Sequence, residues 1–279
     1  MTDWPTARVT RALTSDQQIR IAALDASSLW DGVRRSHPQL DAEACASLTE
    51  LLSATALLNS RALFLERLQL FVKGSGRARA LVSDCWPDGT LRGVLDPSGQ
   101  TDGPWIAAPG TQQVMRSSAS GQPWSGTLPL VEGPIQSQVE AYLLQSEQVQ
   151  ASVSLWCDAS TGHAGGLLVE PLPDCPLPRL QRLVQAIEGV EVLQDHERTP
   201  VFLVDWINGG PGAEVLGSAD LVYRCRCTKH SLLDTLMGFP RDQRREFFDS
   251  DPNAEIRCDY CGKTYLLHRS EVLPDEAAS

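Results

Sequence analysis

Two closely spaced pairs of cysteines near the C-terminal end restrict the fold of this chain more than any other feature. One residue separates Cys225 from Cys227, and two residues separate Cys258 from Cys261. Structural zinc takes four ligands in a tetrahedron, with thiolate sulfur at about 2.3 Å. A Cys-x-x-Cys turn followed by glycine supplies half of such a site, because its backbone amides face the sulfurs and Gly262 accepts a positive φ. The sequence therefore predicts one Zn²⁺ per chain, bound by these four cysteines in the reduced state.

Two other interpretations of the cysteine pairs stay open at this stage. The four thiols could be unligated, or His230 or His268 could replace one sulfur in a mixed site. Paired spacing in a chain without secretion signals favours metal binding over chance. Four thiolates leave no open coordination position, which argues against hydrolytic zinc catalysis. We therefore predict no catalytic residue and no enzymatic activity.

The same sulfurs also have redox chemistry. Zinc-bound cysteines are thiolates, which is the oxidisable form. A disulfide between Cys225 and Cys227 closes a small, strained ring, and strained disulfides are the reversible kind. Structural zinc supplies about 10–16 kcal/mol of apparent binding energy, and a whole domain is stable by only about 5–15 kcal/mol. Oxidation that expels zinc should therefore unfold the zinc-binding domain, so the pattern predicts a redox switch.

Charge and composition narrow the set of partners. The chain has 279 residues and a formal net charge of −11, which repels phosphate backbones and anionic membranes. The segment 220–273 carries nine Arg/Lys and nine Asp/Glu, so the zinc module has no basic excess. The N-terminus has no basic and apolar signal pattern, and no apolar run reaches the roughly 20 residues of a membrane span. We expect a cytoplasmic protein that binds neither nucleic acid nor membrane.

Hydrophobic periodicity predicts an α+β core over residues 1–174, built mainly from an antiparallel sheet with helices. Asp41 is a good N-cap for a helix that runs to about Leu65, and Pro134 can start a second helix that ends near Gln148. Alternating patterns and turn residues predict the strands. These are Arg20–Leu24, Leu68–Lys73, Arg79–Cys85, Leu91–Leu95, Thr127–Leu130, Ser152–Cys157 and Gly166–Glu170.

A helical linker is predicted over residues 175–219, after a run of prolines that marks a boundary. Its first helix carries an apolar stripe, and Thr199-Pro200 caps a second helix over Val201–Asn208 that Gly209-Gly210 ends. Pro211–Ser218 is predicted to be a loop. The stripe consists of Leu180, Leu183, Val184 and Ile187, and the second helix contributes Val201, Phe202, Val204, Trp206 and Ile207.

A small zinc-binding domain is predicted over residues 220–273, followed by a flexible acidic tail over 274–279. Thr228 should cap a helix that ends at Gly238, and Pro240 should begin another that reaches about Asp249. Two short strands, Glu255–Arg257 and Thr264–Leu267, should flank the second cysteine pair. The remaining cysteines are best read as small buried hydrophobes, with no role that the sequence reveals. They are Cys45, Cys85, Cys157 and Cys175.

Several segments together resemble the redox-regulated 33 kDa chaperonins, the heat shock protein 33 family, over nearly the whole chain. The two cysteine motifs with their spacing carry most of the resemblance, and four other segments add to it. The segments are Arg224–Cys227, Cys258–Cys261, Arg11–Leu13, Glu66–Leu70, Tyr142–Gln148 and Gly165–Leu168.

The resemblance implies an ATP-independent holdase that binds unfolding client proteins under oxidative stress. It implies that the reduced, zinc-loaded protein is inactive and that the active form is a homodimer. It also implies that oxidation pairs Cys225 with Cys227 and Cys258 with Cys261, releases zinc and unfolds a metastable linker. In this picture the core domain binds clients and forms the dimer, and the C-terminal domain is the redox switch.

Two further function classes remain as alternatives. A zinc-ribbon protein that binds nucleic acid would use the same cysteines, but the near-neutral zinc module argues against it. A thiol oxidoreductase could use Cys258-Asp259-Tyr260-Cys261, but this motif follows no βαβ unit and two more cysteines stand at ligand spacing. Turnover of a disulfide substrate would favour the oxidoreductase, and suppression of client aggregation only after oxidation would favour the holdase.

Overall fold

The structure is a computed structural model that describes residues 6–118, 121–249 and 251–273. The chain divides into two compact units, one that ends at Arg224 and one that starts at Cys225. The sequence placed the start of the zinc-binding domain at residue 220, within a strand of the first unit. The predicted tail over 274–279 lies outside the described residues. Within the described ranges, no helix has both the length and the apolar character to cross a membrane.

The first unit contains a ten-stranded sheet with the strand order β7-β6-β3-β4-β5-β10-β1-β2-β9-β8. Every neighbouring pair is antiparallel except β5 and β10, which run parallel over a short stretch. The strands are β1 (Ala7–Leu13), β2 (Ile19–Asp25), β3 (Arg67–Lys73), β4 (Ala80–Cys85), β5 (Thr90–Asp96), β6 (Thr111–Ser117), β7 (Trp124–Pro129), β8 (Ser152–Cys157), β9 (Ala164–Pro171) and β10 (Glu214–Tyr223). The predicted α+β class with a mainly antiparallel sheet is confirmed.

Five α-helices belong to this unit, in the ranges that the structure describes. They are α1 (Ser27–Ser36), α2 (Ala42–Arg61), α3 (Ile135–Ser146), α4 (Leu177–Val190) and α5 (Pro200–Asn208), with a 3₁₀ turn over Asp195–Glu197. Helix α2 is buried almost all round between the sheet, α1 and α3. Two of its buried hydroxyl side chains donate within the helix, Thr49 Oγ1 to Cys45 O at 2.8 Å and Ser53 Oγ to Thr49 O at 2.8 Å.

The predicted limits of α2 are correct at its start and wrong at its end. The Asp41 carboxylate accepts a hydrogen bond from the Ala44 N–H at 2.7 Å, as expected of an N-cap. The helix ends at Arg61 rather than near Leu65, because Leu63 and Phe64 take positive φ values of 56° and 54°. A left-handed backbone cannot continue an α-helix, and the apolar character of these residues concealed the turn.

The predicted loop over 211–218 is wrong from residue 214 onwards, because β10 runs through it. This strand pairs with β1 along its length and with β5 at Val222 and Tyr223. Its N-terminal half is exposed apart from Gly217, which adopts a φ of 149°. An exposed, glycine-containing strand without apolar alternation has the composition of a loop, so the periodicity gave no signal.

The linker helices α4 and α5 cover one face of β1, β2 and β9, and α2 covers the other. Strand β2 shows the division, because Ile19 and Ile21 pack in the cluster with the linker helices while Leu24 packs in the cluster with α2. The apolar cluster between the linker helices and the sheet is hereafter called the linker–sheet cluster. Its buried members are Ala12, Ile19, Ile21, Ala23, Leu167, Val169, Leu183, Val190, Leu193, Leu203, Val204 and Ile207.

The predicted apolar stripe of the linker is partly wrong. Leu183, Val204 and Ile207 are buried as expected, but Val184 and Val201 are 54% and 71% exposed. Several other members of the buried cluster, among them the fully buried Leu203, were not in the prediction. The helical pattern predicted the correct segments, but it did not predict which side of each helix faces the sheet.

Polar contacts fasten the linker to the β1–β2 turn. Arg179 of α4 is buried. Its Nε donates to Asp16 Oδ2 at 2.9 Å, and its Nη2 donates to Ile207 O at 3.0 Å. The Ser15 N–H donates to Asn208 Oδ1 at 2.8 Å. These bonds join α4, the C-terminal end of α5 and the first strand turn at one point.

The second unit is small and built around a two-stranded sheet of β11 (Asn253–Arg257) and β12 (Thr264–His268). Its helices are α6 (Lys229–Met237), α7 (Arg241–Glu246) and α8 (Arg269–Val272), the last of which was not predicted. Thr228 caps α6 by accepting from the Ser231 N–H at 3.0 Å, as expected. A separate core forms from Leu236, Phe248, Leu267, Val272 and Leu273.

Candidate metal centre

The second unit brings together the side chains of all four cysteines in the two pairs. Their sulfur atoms lie within 4.8 Å of one another. The Sγ atoms of Cys225 and Cys258 are 3.7 Å apart, and those of Cys227 and Cys261 are 3.4 Å apart. Four ligands at about 2.3 Å in a tetrahedron stand about 3.8 Å from one another, so the donor set and its spacing fit Zn²⁺.

The turn between β11 and β12 presents the second pair. Its Gly262 has a φ of 67° and donates its N–H to Cys258 O at 2.7 Å, while the Cys258 N–H donates to Lys263 O at 2.9 Å. The backbone N–H groups of Tyr260 and Lys263 hydrogen bond to the sulfurs of Cys258 and Cys261. The turn thus aims two backbone donors at two sulfurs, which stabilises the thiolate forms.

Tyr265 is a member of the site that the sequence reasoning missed. It lies on β12 and is buried, and its hydroxyl oxygen is 3.2 Å from Cys227 Sγ and 2.9 Å from Cys227 O, so its proton is shared between these two acceptors. The Lys263 ammonium lies 4.9 Å from the centre of the Tyr265 ring. The available signal was the alternation on β12, which turns residue 265 toward the same side as the buried Leu267.

Without a bound cation, the surroundings of the four cysteines do not lower the pKa of every thiol. Burial raises the pKa of Cys258 to about 11 and also raises the pKa of Cys261. Burial opposes ionisation of Cys227 as well, but hydrogen bonds from Tyr265 and Cys261 lower its pKa below the ordinary value. Four adjacent thiolates repel one another, so a divalent cation is the group that would complete this cluster.

The two histidines that could have replaced a cysteine ligand contact other residues instead. His230 is exposed, with Nε2 3.5 Å from Asp234 Oδ2, and the exposed His268 has Nδ1 2.5 Å from Asn253 Oδ1. The four other cysteines are free, with Cys45 and Cys85 buried and Cys157 and Cys175 partly exposed. Within the described ranges they join no cluster of three or more metal-binding side chains.

A family model, relatives of similar sequence and a solved structure of similar fold all indicate the same family. The family model described as Hsp33 protein matches residues 7–268. A 33 kDa chaperonin of Lacticaseibacillus casei is 30% identical over 92% of this chain and 94% of its own length. A 33 kDa chaperonin of Acaryochloris marina is 29% identical over 94% of both chains. The crystal structure of the 33 kDa chaperonin (heat shock protein 33 homolog) of Thermotoga maritima has the same fold, with a TM-score of 0.81 at 20% identity over 98% of this chain and 99% of that one.

Proposed function

Since the chain belongs to the Hsp33 family, we propose that it is a chaperone that holds unfolding proteins without ATP and is switched on by oxidation. The observation that carries the proposal is the convergence of four cysteine sulfurs on a compact unit separate from the large sheet. The curated relatives bear the name 33 kDa chaperonin, which supports the chaperone class. The function proposed is binding rather than catalysis.

In the reduced state, Cys225, Cys227, Cys258 and Cys261 would hold one Zn²⁺. The bound ion would supply structural cross-linking, with a free energy comparable to the stability of a whole small domain. Among the described residues of this unit, the apolar core has five buried members, Leu236, Phe248, Leu267, Val272 and Leu273. A core of this size rarely stabilises a domain without disulfides or a structural metal ion. The cysteine cluster is therefore the part on which the fold of this unit depends.

Oxidation is proposed to form two disulfides, Cys225–Cys227 and Cys258–Cys261, with release of the metal. Each disulfide forms when two thiolates give up two electrons to an oxidant such as hydrogen peroxide, which is reduced to water. Pairing within each motif is supported by chain proximity, because neighbours in sequence meet most often once the cluster opens. The folded cluster also brings sulfurs of different motifs close together, at 3.7 Å and 3.4 Å, so the proposed pairing is the one that the test must distinguish from pairing between motifs.

The linker is proposed to transmit the switch to the sheet. Helix α5 has nine residues and α4 has fourteen, and isolated helices of such length are marginal in water. They stay ordered through the linker–sheet cluster and the Arg179 contacts. If the linker detaches, Ile19, Ile21 and Leu167 of the sheet become exposed, which gives an apolar surface for unfolded clients.

Further parts of the proposal concern partners and compartment. We propose that the active form is a homodimer, that clients are unfolded or partly folded proteins, and that the protein works in the cytoplasm. The net charge of −11 supports a protein that stays dispersed when its apolar surface opens and that does not seek nucleic acid. Residues 1–174 would bind clients and form the dimer, residues 175–219 would be the metastable linker, and residues 220–273 would be the switch.

A cysteine series tests this proposal. Cys225→Ser should lose zinc and the dependence of client binding on peroxide, because a hydroxyl is a poor substitute for a soft thiolate. Cys175→Ser is the matched control, since Cys175 is a free cysteine outside the cluster, and it should keep both properties. Retention of full zinc and normal peroxide activation in Cys225→Ser would refute the assignment. Catalytic turnover of a disulfide substrate by the wild-type protein would favour the oxidoreductase instead.

A further inference from the structure

A cavity of about 630 Å³ opens in the first unit, and the described residues that line it all belong to that unit. Its floor is the N-terminal half of α2, and its walls are the segments 103–107 and 132–135. Small-molecule sites generally measure about 300–1,000 Å³ and combine apolar walls with a few polar groups. The size and the position on a buried, rigid helix suit a binding site.

Two polar side chains on the floor have no partner in the described part of the chain. Glu50 and Ser47 stand one helical turn apart on α2, and both line the cavity. Neither side chain makes a hydrogen bond or ion pair with a described residue. Glu50 is only partly exposed, and burial raises its pKa to about 7. An unpaired carboxyl group in such surroundings is costly unless a ligand compensates it.

Among the described residues that line the cavity, the one cationic side chain already has partners. Arg77 pairs with Glu43 at 2.7 Å and with Asp41 at 3.7 Å, and its guanidinium lies 4.0 Å from the centre of the Trp105 ring. Glu132 adds another carboxylate to the lining. The charged lining residues are therefore three glutamates against one neutralised arginine.

Apolar groups complete the lining. Trp105, Ile135 and Ala46 offer carbon surface next to the unpartnered Glu50 carboxyl. A group that fits both features must carry a positive charge at one end and hydrocarbon at the other. A carboxylate bonds ammonium and guanidinium donors more strongly than neutral ones.

We propose that this cavity binds an organic cation, an ammonium or guanidinium group attached to an apolar body. The cation would donate to the Glu50 carboxylate and the Ser47 hydroxyl, and the body would lie against Trp105. The source could be a free amine or a lysine or arginine side chain of a bound polypeptide. This site is additional to the proposed redox switch and does not depend on it.

Calorimetric titration with 2-phenylethylamine tests the proposal, with the neutral 2-phenylethanol as the matched probe. The amine should bind and the alcohol should bind at least tenfold more weakly. Glu50→Gln, which keeps the shape and removes the charge, should weaken amine binding at least tenfold. Ser47→Ala should weaken it less, and the exposed Glu214→Gln on β10 should have no effect.

Binding should also weaken as the pH falls below 7, because Glu50 then takes up a proton. The other titratable or charged groups that line the cavity are Glu43, Arg77, Glu132 and Cys157. Burial raises the pKa of Cys157 to about 12, so its thiol stays neutral over this pH range. A tripeptide acetyl-Leu-Lys-Leu-amide and its norleucine counterpart distinguish the two sources of the cation.

Binding of the lysine peptide alone would assign the cavity to polypeptide side chains, and binding of the free amine alone would assign it to small amines. Equal affinity for the charged and neutral probes would overturn the proposal. So would equal amine affinity of the wild type and a folded Glu50→Gln variant, or the absence of binding by both cations. Zinc content and client binding report the redox switch separately, so failure of one proposal is distinguishable from failure of the other.

Discussion

Replacing Val204 with aspartate should release the linker while the cysteine cluster stays intact. Val204 lies on α5 and is only 4% exposed within the linker–sheet cluster. Val201 lies one turn earlier on the same helix and is 71% exposed. Val204→Asp and Val201→Asp therefore make the same chemical change in the same helix, one at a buried position and the other at an exposed position in the first turn.

The magnitude follows from burial. A fully buried valine stabilises its contacts by about 1.5–3 kcal/mol, and an unpaired buried carboxylate adds a further penalty of several kcal/mol. A combined loss of at least about 4 kcal/mol lowers the ratio of docked to detached linker by about a factor of 1,000. Val201→Asp buries nothing, so its effect should stay within about 0.5 kcal/mol.

Hydrogen exchange and light scattering of a heat-unfolding client are the assays, both in reducing buffer with zinc retained. Val204→Asp should show fast exchange over residues 175–219 and should suppress client aggregation without peroxide. Val201→Asp should behave as the wild type in both assays. If Val204→Asp has a fast-exchanging linker, a folded sheet and bound zinc but does not hold clients, the linker is not the gate.

Three other perturbations have expected results. Arg179→Met removes the charge-assisted hydrogen bonds to Asp16 and to the Ile207 carbonyl of α5. Linker docking should therefore weaken by about 2–3 kcal/mol, and hydrogen exchange over residues 175–219 should become faster. Unchanged exchange would contradict the role given to Arg179. The folded pKa of Glu50 lies above its ordinary value of 4.5, at about 7, so the wild type loses stability as pH rises between these values. Glu50→Gln should therefore gain stability relative to the wild type by up to about 3 kcal/mol at pH 8 and by less than about 1 kcal/mol at pH 5 in urea unfolding, and an equal gain at both pH values would contradict this. Tyr265→Phe removes the hydroxyl beside Cys227 and should lower the affinity for zinc about 10–100-fold, measured by competition with a chelator. An unchanged affinity would show that the hydroxyl does not support the site.

The features that the sequence predicts well are those set by local chemistry. The cap at Asp41, the Thr199–Gly209 limits of α5 and the Thr228 cap of α6 each depend on a few adjacent residues, and the structure has them. The spacing of the cysteine pairs likewise led to the four side chains that the second unit brings together. A turn or cap carries its own signal because its hydrogen bonds are made within the segment.

The features that the sequence does not reveal depend on distant partners. Strand β10 has the composition of a loop and becomes a strand only because β1 and β5 offer it hydrogen-bonding edges. Val184 and Leu183 are adjacent and equally apolar, yet only Leu183 is buried, since the sheet decides which side of α4 is covered. Glu50 looks like an ordinary surface residue in the sequence, and its unpaired position follows from cavity walls contributed by the segments 103–107 and 132–135, which lie far along the chain.

The most direct test of the redox switch compares one preparation before and after oxidation. The measurement is light scattering of a heat-unfolding client with the reduced, zinc-loaded protein and with the same protein after peroxide. The reduced protein should leave the client to aggregate and the oxidised protein should suppress the aggregation, with zinc released in proportion to the activity gained. Equal suppression by both forms, or suppression by neither, would contradict it.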